Sequence, residues 1–284
     1  MDVVKNTRAK KMTQIRFNNI SKIYGRACDQ ALNLLKENAS NADIFQATGC
    51  QIGLRNINLE INGNSIFCII GLSGSGKSTL VRHINRLIEP SSGEVWVCDT
   101  NVTALNQQDL RQFRQQRISM VFQHFGLLPH LTVRQNVAYP LKVRGIVKKE
   151  RQQQAEYWLN EVGLAGYEKA YPIQLSGGMR QRVGLARALA ADTDILLMDE
   201  AFSALDPLIR IRLQDLVLNL QQRLNKCIVF ITHDIDEAIK MGNQIAILNE
   251  GELVQVGTPQ QLLQHPTNDY VAEFMQTAKG NNVR

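Results

Sequence analysis

The chain has 284 residues, of which 44% are apolar and 20% charged, a composition that argues against a disordered, collagenous or coiled-coil protein and leaves room for one large α/β unit or two smaller domains. Lys and Arg number 32 against 26 Asp and Glu, an excess that suits anionic nucleotides, nucleic acid or a membrane surface without choosing among them. No apolar run reaches the roughly 18 residues of a membrane helix, and no apolar block follows Lys5, Arg8, Lys10 and Lys11, so neither a membrane span nor a secretory signal is expected.

In chain order, the first distinctive segment is 27–50. There Cys28, Ala31, Leu32 and Leu35 recur at i, i+3, i+4 and i+7, which predicts a short amphipathic helix inserted between two strand-like segments. Ile57, Leu59 and Ile61 alternate as a half-buried strand does. The run 66–70 is wholly apolar and leads through a Gly-rich loop into Leu80, Ile84, Leu87 and Ile88, a helical pattern that Pro90 stops. From 107 to 175 the sequence is rich in Gln, Arg and Leu with helical periodicity, which predicts a helical subdomain at about 124–178. Two further apolar runs, 195–198 and 227–232, end in Asp199-Glu200 and His233-Asp234, and 244–256 reads as a hairpin turning at Asn249, Glu250 and Gly251. Apolar runs of this length predict parallel strands covered on both faces, whose carboxyl ends collect polar residues where a ligand binds. The cysteines, Cys28, Cys50, Cys68, Cys98 and Cys227, are odd in number without C-x-x-C spacing, and read as small core residues in a reducing compartment inside the cell.

Residues 71–78 fit G-x-x-x-x-G-K-[ST] between a strand and a helix, the context that identifies a phosphate-binding loop. Gly71, Ser73, Gly74, Ser75 and Gly76 let backbone N–H groups face phosphate oxygens, and Ser78 and Thr79 open the helix whose N-terminus adds positive potential. Lys77 is expected to pair with the β- and γ-phosphates, and the Ser78 hydroxyl to ligate Mg²⁺. Asp199 is the expected Mg²⁺ anchor, directly or through another ligand, because a hard dication takes oxygen ligands. Its neighbour Glu200 points another way and can reach the water that attacks the γ-phosphate.

Further motifs give the chain a family likeness. Leu175-Ser176-Gly177-Gly178-Met179-Arg180-Gln181 resembles the signature motif of ATP-binding cassette ATPases. Gln123 resembles the Q-loop, Ser203 to Asp206 the D-loop, His233 the switch histidine, and Tyr24 the A-loop aromatic that stacks on adenine. The resemblance implies a P-loop NTPase core with a mostly parallel sheet, an antiparallel β subdomain and a helical subdomain, together spanning 14–258. It also implies Lys77, Gln123, Glu200 and His233 as catalytic residues. Ser78, Gln123 and Asp199 would hold Mg²⁺, and Ser176, Gly177, Gly178 and Asp206 would serve nucleotide bound across a head-to-tail homodimer.

Segments 71–82, 85–90, 175–190 and 198–210, with an insertion ending in Ala47-Thr48-Gly49, are similar to the ATPase subunits of bacterial glycine betaine/proline uptake systems. That likeness covers about 14–275 and implies an ATP-hydrolysing motor on the cytoplasmic face of the membrane. Its partners would be permease subunits, contacted near Gln123 and 124–129, and, through them, an extracytoplasmic solute-binding protein. For the apolar part of 124–129, internal packing stays open as an alternative. Osmoregulatory members often continue into paired CBS domains; here a short helical tail, 259–284, is expected instead, which leaves osmotic gating an open question. Choline, proline and histidine remain alternative cargoes, and exporters share the same nucleotide chemistry. A soluble cassette ATPase acting on nucleic acid or the ribosome is the alternative from another class. It is disfavoured because the chain has neither a long coiled coil between motifs nor a second cassette, so no nucleic-acid partner is expected.

Overall fold

Apolar pentapeptides too short for a helix, and covered on both sides, set the centre of this fold. The structure, a computed structural model, describes residues 14–123, 125–203 and 205–280. The first half of the chain forms β1 (Gln14–Tyr24), α1 (Cys28–Lys36), α2 (Asn41–Thr48), β2 (Gln51–Asn62), β3 (Ile66–Ile70), α3 (Lys77–Ile84), β4 (Ser92–Val97), β5 (Thr100–Asn101), α4 (Gln107–Arg117) and β6 (Ile118–Val121). The second half forms α5 (Val133–Val143), α6 (Lys148–Glu161), α7 (Gly177–Ala190), β7 (Ile195–Asp199), α8 (Pro207–Leu224), β8 (Cys227–Ile231) and α9 (Ile235–Met241). The chain continues through β9 (Gln244–Asn249), β10 (Glu252–Gly257), α10 (Pro259–Gln264) and α11 (Asp269–Gly280).

One sheet runs β10-β9-β3-β8-β7-β6, parallel except for the β9–β10 hairpin. Every residue of β3, β7 and β8 is buried. Alternate residues go to different cores. Ile66, Cys68 and Ile70 join Leu196, Met198, Ile228 and Phe230 under the helices, whereas Phe67 and Ile69 join Ile195, Leu197, Val229 and Ile231. The second core lies against an antiparallel sheet, β2-β1-β4-β5, that supplies Ile15, Phe17, Ile57, Leu59 and Ile61. Because both faces are covered, these strands carry no polar alternation.

Three local expectations are corrected. The helix after the Gly-rich loop stops at Ile84 rather than Ile88: Arg86 takes φ 50°, outside the helical region, and the Asn85 side chain accepts from Leu87 N. The stretch read as helical from 107 contains β6, a four-residue strand at the sheet edge, too short to show a period. The cysteines are all free, but Cys28 and Cys98 are only half-buried, whereas Cys50, Cys68 and Cys227 are core residues. Burial pushes the Cys227 thiol up to about 12.

The 27–50 segment holds two helices, of which α2 was not foreseen; it is capped by Ser40 and closed by Gly49 at φ 68°. Their apolar faces meet in a small separate cluster of Ile23, Ala31, Leu35, Ile44 and Cys50. Among the described residues, no helix is long and apolar enough to cross a membrane.

Candidate nucleotide site

Strand β3 ends at Ile70, and the chain turns through Gly71 to Gly76 into α3. The turn depends on glycine. At Gly71, φ is 151° and a Cβ would stand 2.1 Å from the Leu248 carbonyl oxygen; Gly76, at φ 95°, is the residue from which α3 starts. The loop is also clipped from outside: Gly251 N, in the β9–β10 turn, donates to Ser75 O at 3.2 Å, and Arg55 N of β2 donates to Gly251 O at 2.8 Å.

Lys77 is 5% exposed and donates its Nζ to the carbonyls of Gly71 (2.9 Å) and Leu72 (2.7 Å). Burial lowers its pKa, and the carboxylates of Glu200 and Asp199 oppose that shift. The Ser78 hydroxyl donates to Asp199 Oδ1 at 2.8 Å, and Arg82, one turn further along α3, donates to Asp199 Oδ2 at 3.0 Å. Asp199 itself is fully buried.

Glu200 leaves the strand at φ 46°, its N–H donating to Ile231 O of β8 at 3.1 Å. That left-handed step sends the two adjacent carboxylates apart. Asp199 faces α3, while Glu200 Oε2 accepts from Gln123 Nε2 at 2.8 Å and lies 3.8 Å from His233 Nδ1. On the far side, the Tyr24 hydroxyl is 3.2 Å from Thr79 Oγ1, and a Cβ on Gly53 would touch the Tyr24 ring at 2.6 Å.

A cleft of about 380 Å³ is lined by Tyr24, Gln51, Ile52, Gly53, Ser73, Gly74, Gly76, Lys77, Ser78, Thr79, Gln123 and Glu200; Gly71, Ser75, Asp199 and His233 bond to or neighbour these residues without lining it. Ser176, Gly177, Gly178 and Asp206 do not line it. They form a second group: Ser176 caps α7, Asp206 caps α8, and a Cβ on Gly178 would lie 3.4 Å from Leu205. His124 and Ala204 lie outside the described residues. Phe125 is half-buried beneath Arg180, and Arg187 NH2 donates to its carbonyl at 3.1 Å.

The sequence pattern of the ABC transporter family matches residues 54–203, more than half of the chain. The chain belongs to the ABC transporter family. This ABC subunit is 49% identical over 272 residues to the glycine betaine/carnitine transport ATP-binding protein GbuA of Listeria monocytogenes, covering 96% of this chain and 68% of that protein. It is 49% identical over 266 residues to the glycine betaine transport ATP-binding protein OpuAA of Bacillus subtilis, covering 94% and 64%. The chain thus spans about two thirds of the length of these relatives. Among solved structures, the ATP-binding cassette MJ0796, a dimer in a post-hydrolysis state bound to ADP and Pi, superposes with a TM-score of 0.74 at 31% identity over 86% of this chain and 98% of that one. The ABC subunit therefore has the nucleotide-binding P-loop fold of an ABC cassette.

Some residues of the site were not anticipated. Arg82 sits four residues after Ser78 and so on the same face of α3, a spacing that was readable. Gly53 is an isolated glycine inside a strand pattern, a mark of close approach by another group. Gln51 and Ile52 carry no such mark.

Proposed function

We propose that this chain is the ATP-hydrolysing subunit of an importer for quaternary amines such as glycine betaine, carrying Mg·ATP in the Tyr24–Lys77–Glu200 cleft. The observation that carries the reading is the divergence of Asp199 and Glu200 at one strand end, one held by Ser78 and Arg82, the other beside Gln123 and His233.

The donor set fits magnesium. Ser78 Oγ and Asp199 Oδ1 are hard oxygens 2.8 Å apart at the start of α3, and the described residues hold no cage of three or more His, Cys, Asp or Glu. Such an ion takes few protein ligands and shares the rest with phosphate and water. Ser78 and the Gln123 amide oxygen would hold it, with Asp199 orienting Ser78. Bound there, Mg²⁺ would neutralise phosphate charge.

In this reading Tyr24 stacks on the base and the loop amides with Lys77 cradle the phosphates. Glu200 takes the proton of the attacking water, and His233 steadies the γ-phosphate. Ser176, Gly177, Gly178 and Asp206 lie off the cleft because they serve the nucleotide of a second copy. The dimeric state of MJ0796 supports this arrangement.

An apolar groove lined by Leu87, Met120, Phe122, Tyr139 and Val143 opens one residue from Gln123, and we place the permease there, with the chain as a peripheral subunit on the cytoplasmic face. Solute choice then rests with the permease and its binding protein. The quaternary-amine reading follows the names of the relatives. Reconstitution with candidate permease subunits tests it: glycine betaine or carnitine is expected to stimulate ATP turnover, and stimulation by histidine alone would reject the cargo.

A further inference from the structure

His233 has little of its own to hold it. Its side chain is 60% exposed, and its approach to Glu200 is 3.8 Å, longer than a hydrogen bond. Its neighbours on both sides, by contrast, are locked. Thr232, 2% exposed, donates its hydroxyl to Glu237 Oε2 at 2.6 Å and accepts from Asp234 N at 3.0 Å. Asp234 Oδ1 in turn accepts from Glu237 N at 3.2 Å, closing a ring of three residues, two of which flank the histidine in the chain.

The ring is anchored to another element. Arg210 and Gln214, one turn apart on α8, reach it together: Arg210 NH1 donates to Asp234 Oδ2 at 3.1 Å, and Gln214 Nε2 to Glu237 Oε1 at 3.0 Å. Lys240 then donates to Gln214 Oε1 at 3.1 Å. Capping of α9 does not require Glu237, because Asp234 already supplies the cap acceptor. A carboxylate that is 6% exposed is costly to keep, and apolar residues of similar size fill such places more cheaply. Its partners show what it does instead: it fixes the residue preceding His233 to a helix whose first residue, Pro207, follows Asp206.

We propose that Glu237, anchored by Arg210 and Gln214, is a positioning residue that sets the place of His233 at the nucleotide and ties it to the start of α8. The inference rests on the catalytic reading of His233 given above. Ile211, which follows Arg210 on α8 and lines a surface hollow with Arg210, Gln214, Asp234 and Glu237, is 50% exposed.

The test is steady-state Mg·ATP turnover of the full chain, with ATP affinity by equilibrium dialysis, for Glu237→Ala and Glu237→Gln in the wild type and in His233→Ala. Glu237→Ala is expected to lower kcat about tenfold while KM and ATP affinity stay within about twofold. Glu237→Gln, which keeps an acceptor for Thr232, should restore at least about half of the loss. In the His233→Ala background, Glu237→Ala should change kcat by less than about twofold, since two residues acting as one unit are not additive. Wild-type kcat in a folded Glu237→Ala, or an equal loss in both backgrounds, overturns the proposal. If Glu237→Ala does not fold, Arg210→Ala is judged by the same criteria, with Arg210→Lys as its conservative partner. Full turnover in His233→Ala alone would instead remove the catalytic reading of His233, and this inference with it, before any Glu237 variant is considered.

Discussion

The two ends of the cleft are built differently. At the proposed phosphate end, Lys77 and Asp199 are almost wholly buried, Lys77 at the start of the helix that follows β3 and Asp199 at the end of β7, in the middle of the six-stranded sheet. At the base end, Tyr24 is 41% exposed and stands where β1 meets an insertion held by a small cluster of its own. The contrast teaches that the proposed grip on phosphate is built into the core, whereas the proposed grip on the base is a marginal addition that can vary without disturbing the rest. Buried polar groups at strand ends are expensive to unmake, and a single half-exposed ring is not.

Substitutions can break or sharpen that contrast. The largest effect is expected for Glu200→Gln, which should lower kcat by about 10³-fold while ATP stays bound and the copies stay paired, read by ATPase assay and size-exclusion chromatography. Turnover at the wild-type rate would end the assignment of the base. Next comes Gly71→Ala, where the added Cβ meets the Leu248 carbonyl at 2.1 Å; urea unfolding should show a loss of about 3 kcal/mol, together with weakened ATP binding. Tyr24→Ala should act on the base alone, raising KM for ATP about tenfold with kcat and unfolding midpoint unchanged. A joint loss of stability and affinity there would show that the base end is as much a part of the core as the phosphate end.

The smallest effect concerns pH. His83 is fully buried on α3, and burial pushes its pKa below the ordinary value of 6.5. The unfolded chain therefore takes up a proton that the folded chain refuses. The stability this group contributes is present above the ordinary value and is lost as pH falls toward the lowered one. Unfolding midpoints compared between about pH 7 and 5 should fall more steeply for the wild type than for His83→Leu, and equal slopes would show that His83 does not titrate differently on folding.

How much of this was readable from residues alone follows the same division. The phosphate loop, Asp199 and Glu200 were legible because strand, turn and chemistry coincide within a few consecutive positions. So was the first inserted helix, whose apolar residues follow one helical stripe. Helix α2 escaped because Ile44 is its one buried residue, and β6 because four residues carry no period. Pro90 marks the end of α3 too late, because Arg86, at φ 50°, has already left the helical region and no residue type announces that step. Gln51, Ile52 and the link of the Glu237 ring to α8 depend on contacts between residues distant in sequence, which periodicity cannot reveal. Nor does spacing along the chain say that Ser176 and Asp206 lie off the cleft that holds Lys77.

Tyr24 and Gln51 are register partners across β1 and β2. The intervening excursion thus departs from the sheet and rejoins it at neighbouring points, so the strands on either side need not know how long it is. Lengthening, trimming or grafting in that detour adds little closure entropy to the framework. A reporter module spliced between α1 and α2 would enter beside Ala39 and Asn41, which bond Arg55 and Glu250 next to the Gly251 clip, and so would report on the outer wall of the glycine-rich loop.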